Sequence, residues 1–328
     1  MTEQLKLKLN DSKATRWGAL VIVAFTMMAA YYVNDVVAPL KTMLETDLAW
    51  SSTDFGFFTG GYSFLNVFFL MLIWGGLILD RFGIRFTGKL ATILMVGGTA
   101  LEYYAMTGLA GADATLFGIN EIFGYKTGVF VAFAGYSIFG VGAEVAGITV
   151  SKIIAKWFKG KELATAMGVQ VALARIGSQA GYAVAIPLAR AFGISTPVLL
   201  GLVLLLGGMI AFFIFAVMDK KLDKQMEAAA IAAGTEDEEE KFSFKDVKNI
   251  LVNPGFWLIA LLCVLFYSCV FPFQKFASEL MIIKYGINEN VAGTFAGLPA
   301  LGALILTPVF GGFIDKRGKS ASIMLLGS

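Results

Sequence analysis

Eight apolar segments, each long enough to cross a lipid bilayer, dominate this 328-residue chain. They cover residues 17–40, 54–79, 87–108, 127–151, 163–187, 196–218, 254–277 and 291–314. A spanning helix needs about 20 mostly apolar residues. Because lipid offers no partner to backbone N–H and C=O groups, such segments must be helices. The sequence therefore predicts an all-α polytopic membrane protein. A ninth apolar segment begins near Ser320 and is too short to span a membrane. We expect it to be the start of a third helix of the second bundle, or alternatively a tail that is not transmembrane.

The composition excludes several classes of function. Hydrophobic residues make up 57% of the chain and charged residues 15%, with no histidine, whereas soluble domains carry about 25% charge. Without histidine the chain has no imidazole metal ligands and no His-dependent catalytic triad. No nucleotide-binding, metal-binding or nucleophile motif is present, so we expect no enzyme activity, no cofactor and no metal. The net charge of +2 gives no reason to expect a nucleic-acid partner.

The basic residues predict the orientation and the domains. If the N-terminus is cytoplasmic, 20 of the 26 Lys and Arg residues lie on the cytoplasmic side and 5 on the opposite side. This asymmetry follows the positive-inside rule. The resulting domains are a cytoplasmic N-tail, a six-helix bundle, a cytoplasmic linker and an incomplete second bundle: 1–16, 17–218, 219–253 and 254–328.

Two cytoplasmic loops share the pattern G-x-x-x-D-[RK]-x-G. The first copy contributes Gly76, Asp80, Arg81, Gly83 and Arg85, and the second contributes Gly311, Asp315, Lys316 and Gly318. Parallel repeats of six helices are typical of one transporter architecture. The loops and their spacing resemble those of the major facilitator superfamily. This resemblance implies twelve helices in two bundles and alternating access. It also implies that the first loop latches the two halves in the outward-open state. Alternatively, these charges only fix the topology.

Two ionisable residues lie deep inside predicted spans, where charges are costly and commonly functional. Glu144 in the fourth span lies about 12–18 Å above the inner boundary, and Arg175 in the fifth lies about 20 Å above it, at 1.5 Å per residue. Both are therefore near the midplane on consecutive antiparallel helices. A carboxylate and a guanidinium at one depth suit a zwitterion, because the planar fork of Arg binds a carboxylate in bidentate fashion. The alternative is a structural ion pair between the two helices.

Polar side chains in neighbouring spans predict the rest of this site. Gln179 and Tyr182 share the helical face of Arg175, and Tyr62 and Asn66 form an i, i+4 pair in the second span. Asn34 lies in the first span, and Tyr267 lies in an aromatic segment of the seventh span. We predict that all of these residues contribute to substrate binding.

Residues 142–178, together with YYVND, GGYSFLNV, LDRFGIR and YSCVFPF, resemble the lysosomal dipeptide transporters of this superfamily. The resemblance implies that Glu144 and Arg175 bracket the two termini of a dipeptide. It implies a small-molecule or dipeptide substrate, the lipid bilayer as surroundings, and a monomer when full length. The N-terminus lacks an acidic dileucine sorting signal, which favours a bacterial inner membrane.

Two other functions remain open. A proton-coupled transporter of organic anions would use Arg175 as its anchor and Glu144 as its coupling carboxylate. A non-transporting binding or receptor-like fragment would fit a chain that stops within its ninth apolar segment. For that reason we expect that the 328 residues alone do not complete a transport cycle.

Overall fold

The computed structural model describes residues 8–111, 114–233, 249 and 251–317, and most of them are helical. The helices are α1 (Lys13–Val36), α2 (Lys41–Asp47), α3 (Ser52–Phe68), α4 (Met71–Thr107), α5 (Thr127–Trp157), α6 (Leu163–Phe192), α7 (Thr196–Ala233), α8 (Pro254–Tyr285), α9 (Glu289–Ala296) and α10 (Leu298–Arg317). A 3-10 turn, Ala38–Leu40, joins α1 to α2. The strands Glu121–Ile122 and Tyr125–Lys126 form an antiparallel hairpin before α5.

The eight predicted spans all lie on helices, but three of them are interrupted. The breaks fall at Val37, at residues 69–70 and at Gly297. By length and hydropathy, five helical stretches could cross a membrane, or up to six if α3 and α4, bent by 58°, count as one span. Helix α6 is not among the five, because Arg175 and its polar neighbours lower its hydropathy. The predicted ninth segment lies outside the described residues.

Local sequence signals set several helix ends. Ser51 and Asp54 form a capping box at the start of α3, in which each side chain bonds the other's backbone N–H. Asn253 caps α8 and Pro254 occupies its first turn. Leu70, between α3 and α4, adopts the left-handed conformation with φ of 52°. The bend in the second predicted span is therefore built into the backbone.

The chain reverses direction at Gly83, inside the first copy of the loop motif. Gly83 is the one non-helical residue in α4, with φ of 74° and ψ of 173°. On either side of it, Gly75 lies against Val145 and Ala91 lies against Gly142. A straight helix would separate residues 75 and 91 by about 24 Å at 1.5 Å per residue, too far to reach one turn of α5. The predicted loop between the second and third spans is thus a one-residue turn.

The first six predicted spans pack into one helical bundle. Helix α4 packs along α5, and α1 packs against both α6 and α7. The fully buried rings of Phe55, Phe58, Tyr136 and Phe139 fill the space between α3 and α5. Helices α9 and α10 pack on α6, so the second part of the chain adds to that helix.

The predicted linker is helical in its first part. Helix α7 continues to Ala233, whereas the sequence predicts that the sixth span ends at residue 218 and the linker begins at Asp219. The acidic run at residues 235–240 lies outside the described residues.

Candidate substrate site and its gates

Glu144 on α5 holds its carboxylate in a half-buried position facing α3. The hydroxyl of Tyr62 donates a hydrogen bond to Glu144 Oε1 over 2.7 Å. Tyr62 is itself fixed by the rings of Tyr136 and Phe139, whose centroids lie 5.7 and 6.2 Å away. The carboxylate is therefore oriented by a packed aromatic side chain and not by a cation.

Arg175 on α6 lies against an aromatic ring from α1. Its guanidinium carbon is 5.4 Å from the ring centroid of Tyr31, within the range of a cation–π contact. Tyr31 also lies near the charge of Glu144. Across the described part of the chain, neither Glu144 nor Arg175 has an ion-pair partner within 4.0 Å, and the guanidinium donates no hydrogen bond. The predicted alternative of a direct pair between Glu144 and Arg175 does not form.

Two predicted site residues keep a buried oxygen without a partner among the described residues. Asn66 donates to the Tyr62 carbonyl over 3.1 Å, while its Oδ1 is unpaired. Gln179 Oε1 is likewise without a partner among these residues. It lies so close to Gly297 that a Cβ at that position would collide with it. Both amides can therefore accept a hydrogen bond from a ligand or from water.

The other three predicted residues occupy different surroundings. Tyr182 is buried between α6 and α8 and donates to the Gln274 carbonyl over 3.2 Å. Asn34 bonds Asp35 and Tyr136. Tyr267 is exposed on α8 and stacks on Phe271 at 4.9 Å. The structure thus brings Tyr62 to Glu144, while Tyr182 and Asn34 bond to groups of neighbouring helices.

Sequence reasoning missed a buried network around Lys275. This residue, which lies near the end of the predicted span 254–277 and was counted with the side opposite the N-terminus, lies on α8 and reaches into the first bundle. Its ammonium donates to the Asn34 carbonyl over 2.5 Å and to the Tyr136 hydroxyl over 3.1 Å, and lies 3.7 Å from the Asp35 carboxylate. Glu102 on α4, which we had not singled out, is also fully buried nearby. Glu102 is an ionisable residue inside the apolar span 87–108, and this was the signal that could have identified it from the sequence.

Two further ion pairs join α2 and α6 of the first bundle to α8 and α9. The Lys41 ammonium lies 2.5 Å from Glu279 on α8 and 2.7 Å from Glu45. Arg190 on α6 pairs with Glu289 and donates to Asn290 over 2.8 Å. We call these contacts, with those of Lys275, the outer gate, after the side of the membrane on which the predicted orientation places them: Lys41–Glu279, Arg190–Glu289 and Lys275–Asp35.

The first copy of the loop motif pairs within the first bundle. Asp80 accepts from Lys152 on α5 over 2.8 Å. Arg85 lies 2.9 Å from Asp223 on α7. Arg81 lies over the ring of Phe82 at 5.7 Å, and Gly76 faces open space. In the second copy Gly311, Asp315 and Lys316 lie on α10, and Gly318 lies outside the described residues.

The N-tail is fixed to the loop between α5 and α6. Arg16 binds the Glu162 carboxylate through two donors, at 2.7 and 3.2 Å. The hydrogen bond from Arg16 lowers the pKa of Glu162 below its usual value. Lys161 donates to Asp11 over 2.7 Å, and this bond lowers the pKa of Asp11 in the same way. The tail is therefore tied by charge to the end of α5 that carries the basic residues.

Comparison with known proteins identifies the family. Residues 20–328 match the sequence profile of the Major Facilitator Superfamily. The chain belongs to the major facilitator superfamily. The crystal structure of the D-xylose-proton symporter shares its fold, with a TM-score of 0.58 over 92% of this chain and 69% of that one, at 15% identity. The predicted fold class is confirmed.

The curated relatives are lysosomal dipeptide transporters named MFSD1. The proteins from Pongo abelii and Homo sapiens are both 27% identical, over 92% and 94% of this chain. The one from Gallus gallus is 32% identical over 57% of this chain and 43% of its own length. The chain spans about three fifths of the length of the two primate relatives, 61% and 63%.

Family membership makes this a multi-pass integral membrane protein of a transporter family whose members act on small molecules. It does not support the predicted bacterial inner membrane, because the relatives named above are vertebrate lysosomal proteins.

Proposed function

We propose that this protein carries dipeptides or similar small zwitterions across a membrane by alternating access, as a monomer with a cytoplasmic N-terminus. Glu144 binds the ammonium end of the substrate, and Arg175 binds the carboxylate end. The lysosomal dipeptide transporters of similar sequence support this substrate class.

One observation carries the proposal: two opposite charges deep in neighbouring helices do not neutralise each other. A charge removed from water needs a partner. The Arg175 guanidinium lies over the ring of Tyr31, and no described residue accepts a hydrogen bond from its N–H groups. The Glu144 carboxylate has one phenol donor on Oε1. A ligand with a carboxylate and an ammonium supplies the missing partner to each.

The remaining polar groups fit the middle of such a ligand. The unpaired amide oxygens of Asn66 and Gln179 can accept from the peptide N–H or the ammonium. Tyr267 and Phe271 offer an aromatic surface for side chains. Because these walls are apolar, we expect uncharged side chains to be preferred over charged ones.

The outer gate supports alternating access. Lys41–Glu279, Arg190–Glu289 and Lys275–Asp35 each join the first bundle to α8 or the start of α9 at their outer ends. Rocking of one bundle against the other must break these contacts to admit substrate from outside.

A thermal-shift screen of the purified protein tests the substrate class. Dipeptides, free amino acids, tripeptides, N-acetylated dipeptides and C-amidated dipeptides are compared in one detergent. We expect stabilisation by dipeptides that disappears when either terminus is blocked. Equal stabilisation by acetylated and unmodified dipeptides would contradict the role of Glu144.

Two matched pairs of variants test the residues. Arg175→Gln removes charge-assisted hydrogen bonds, each of about 1.5 to 3 kcal/mol, so dipeptide affinity should fall roughly 10-fold or more. The control is Arg81→Gln: among the described residues, the Arg81 guanidinium contacts only the ring of Phe82, so this variant should bind dipeptides as the parent does. Glu144→Gln should weaken binding of dipeptides, whereas Glu121→Gln, in the exposed hairpin, should not.

The second candidate, a transporter of organic anions, is favoured by the hydrogen bond from Tyr62 to Glu144. The Glu144 carboxylate already accepts a hydrogen bond from Tyr62, whereas the Arg175 guanidinium donates none to a described residue. The site therefore has a stronger requirement for a ligand carboxylate than for a ligand ammonium. Binding of simple organic acids that requires Arg175 but tolerates Glu144→Gln would establish this function instead.

A further inference from the structure

Glu102 on α4 is a buried carboxylate that the proposed substrate site does not use. It is 0% exposed, and in the described part of the chain neither of its carboxyl oxygens has a hydrogen-bond partner. Thr99, three residues earlier on the same helix, is also buried, and its hydroxyl has no described partner. An ionised carboxylate in these surroundings loses its hydration and gains no bond in return.

The groups that face Glu102 come from several helices. Its backbone lies against Gly135 of α5, next to Tyr136. Tyr62 on α3 packs on Tyr136, and Asp35 on α1 and Lys275 on α8 complete the charged surroundings. Helix α7, which also packs on α4, has no titratable side chain between Thr196 and Met218. Among these groups, Lys275 is the cation near both buried carboxylates, Asp35 and Glu102.

Lys275 is already committed to one of these carboxylates. Its ammonium lies 3.7 Å from Asp35 and bonds Asn34 and Tyr136, while Glu102 lies beyond ion-pair distance. If both carboxylates were ionised, the buried cluster would carry a net negative charge. A proton on Glu102 makes the cluster neutral without moving any helix.

We propose that Glu102 is a proton-binding site coupled to the outer gate. Closure of the gate brings Lys275 to Asp35 and leaves Glu102 buried with one bound proton. Opening of the gate withdraws Lys275 with α8 and lets water reach Glu102, which then releases the proton. The closed state holds one more proton than the open state, so acidification favours closure.

This inference rests on alternating access but not on the substrate class, and its tests need no substrate. Spin labels at Thr46→Cys and Lys284→Cys, two exposed positions at the outer ends of α2 and α8, report the gate distance. Cys263 and Cys269 are first replaced by serine. In lipid nanodiscs the population with the short distance should rise as the pH falls.

Three variants separate Glu102 from other groups. Glu102→Gln mimics the protonated acid and should hold the short distance at every pH. Glu121→Gln removes an exposed outer carboxylate and should keep the parent's pH dependence. Asp35→Asn leaves Lys275 with Glu102 alone, so an ionised Glu102 becomes its partner and acidification should no longer favour closure. If Glu102→Gln keeps the parent's pH dependence, the proposal is overturned. It is also overturned if the distance between the two labels in the parent does not change with pH.

An infrared measurement covers the case in which Glu102→Gln does not fold. Protein labelled with ¹³C-glutamate, in a Glu144→Gln background, should show the carbonyl stretch of a protonated glutamic acid that grows with the closed population. Absence of that band in the closed state would also overturn the proposal.

Discussion

Tyr31 is the residue on which the geometry of the candidate site most depends, because it orients the guanidinium without neutralising it. A carboxylate partner would have filled the donors of Arg175, whereas the aromatic ring leaves them open. The ring also lies within the electrostatic influence of Glu144. Tyr62 acts on Glu144 in a comparable way, through a single hydrogen bond.

Tyr31→Leu should weaken binding of ligands that carry a carboxylate, because the guanidinium loses its cation–π contact. That contact is worth about 0.5 to 2 kcal/mol, which corresponds to a roughly 2- to 30-fold loss of affinity. Tyr31→Phe keeps the ring and should bind nearly as the parent does. Isothermal calorimetry on both variants measures the difference, and equal affinities would argue against a role for the ring.

At the scale of the element, the second predicted span shows how the backbone is shaped around the site. The capping box at Ser51 starts α3, Leu70 breaks it, and Gly83 ends the following helical stretch. The bend of 58° at Leu70 occurs four residues after Asn66. Helix α3 carries Tyr62 to Glu144 before this break, so the interruption falls between these two residues and the loop motif that contains Gly83.

Gly83→Ala should destabilise the protein, because its φ of 74° and ψ of 173° lie in a region open to glycine alone. The expected cost is about 1–3 kcal/mol. Gly76→Ala is the matched control from the same motif, since Gly76 is helical and faces open space. Thermal unfolding in detergent should show a lower Tm for the first variant only. A similar decrease in both would indicate that the turn does not depend on glycine.

At the scale of the whole molecule, charged side chains whose partners lie far away in sequence hold the first bundle to α8 and α9. Lys41 and Glu279 are separated by 238 positions, and Lys275 and Asn34 by 241. Lys41 is 2% exposed, whereas the partners in the Arg190–Glu289 pair are 44% and 39% exposed. Buried pairs cost far more to break than exposed ones. The outer gate therefore depends more on Lys41 than on Arg190.

Lys41→Glu should open the outer gate, because it places three carboxylates together where one cation had balanced two. Breaking a buried pair costs about 3–5 kcal/mol, whereas Arg190→Gln should change the gate by at most about 1 kcal/mol. Adding Glu279→Lys to Lys41→Glu restores opposite charges and should restore closure. The spin-label distance between residues 46 and 284 measures all three. Failure of the double variant to close would show that Lys41 does not act through its charge.

Hydropathy was enough to place helices in all eight apolar runs, since each run must satisfy its backbone within itself. It did not predict the breaks at Val37, at residues 69–70 and at Gly297. The loop motif likewise located the turn at Gly83, and the rise per residue gave Glu144 and Arg175 similar depths. What the sequence could not provide was contact between distant elements. Depth and helical face do not say which side chain from another helix lies opposite. Only packing placed Tyr31 under Arg175 and kept the Glu144 carboxylate from forming an ion pair with Arg175. Packing also brought Lys275 of α8 to Asp35 and left Glu102 buried without a described hydrogen-bond partner.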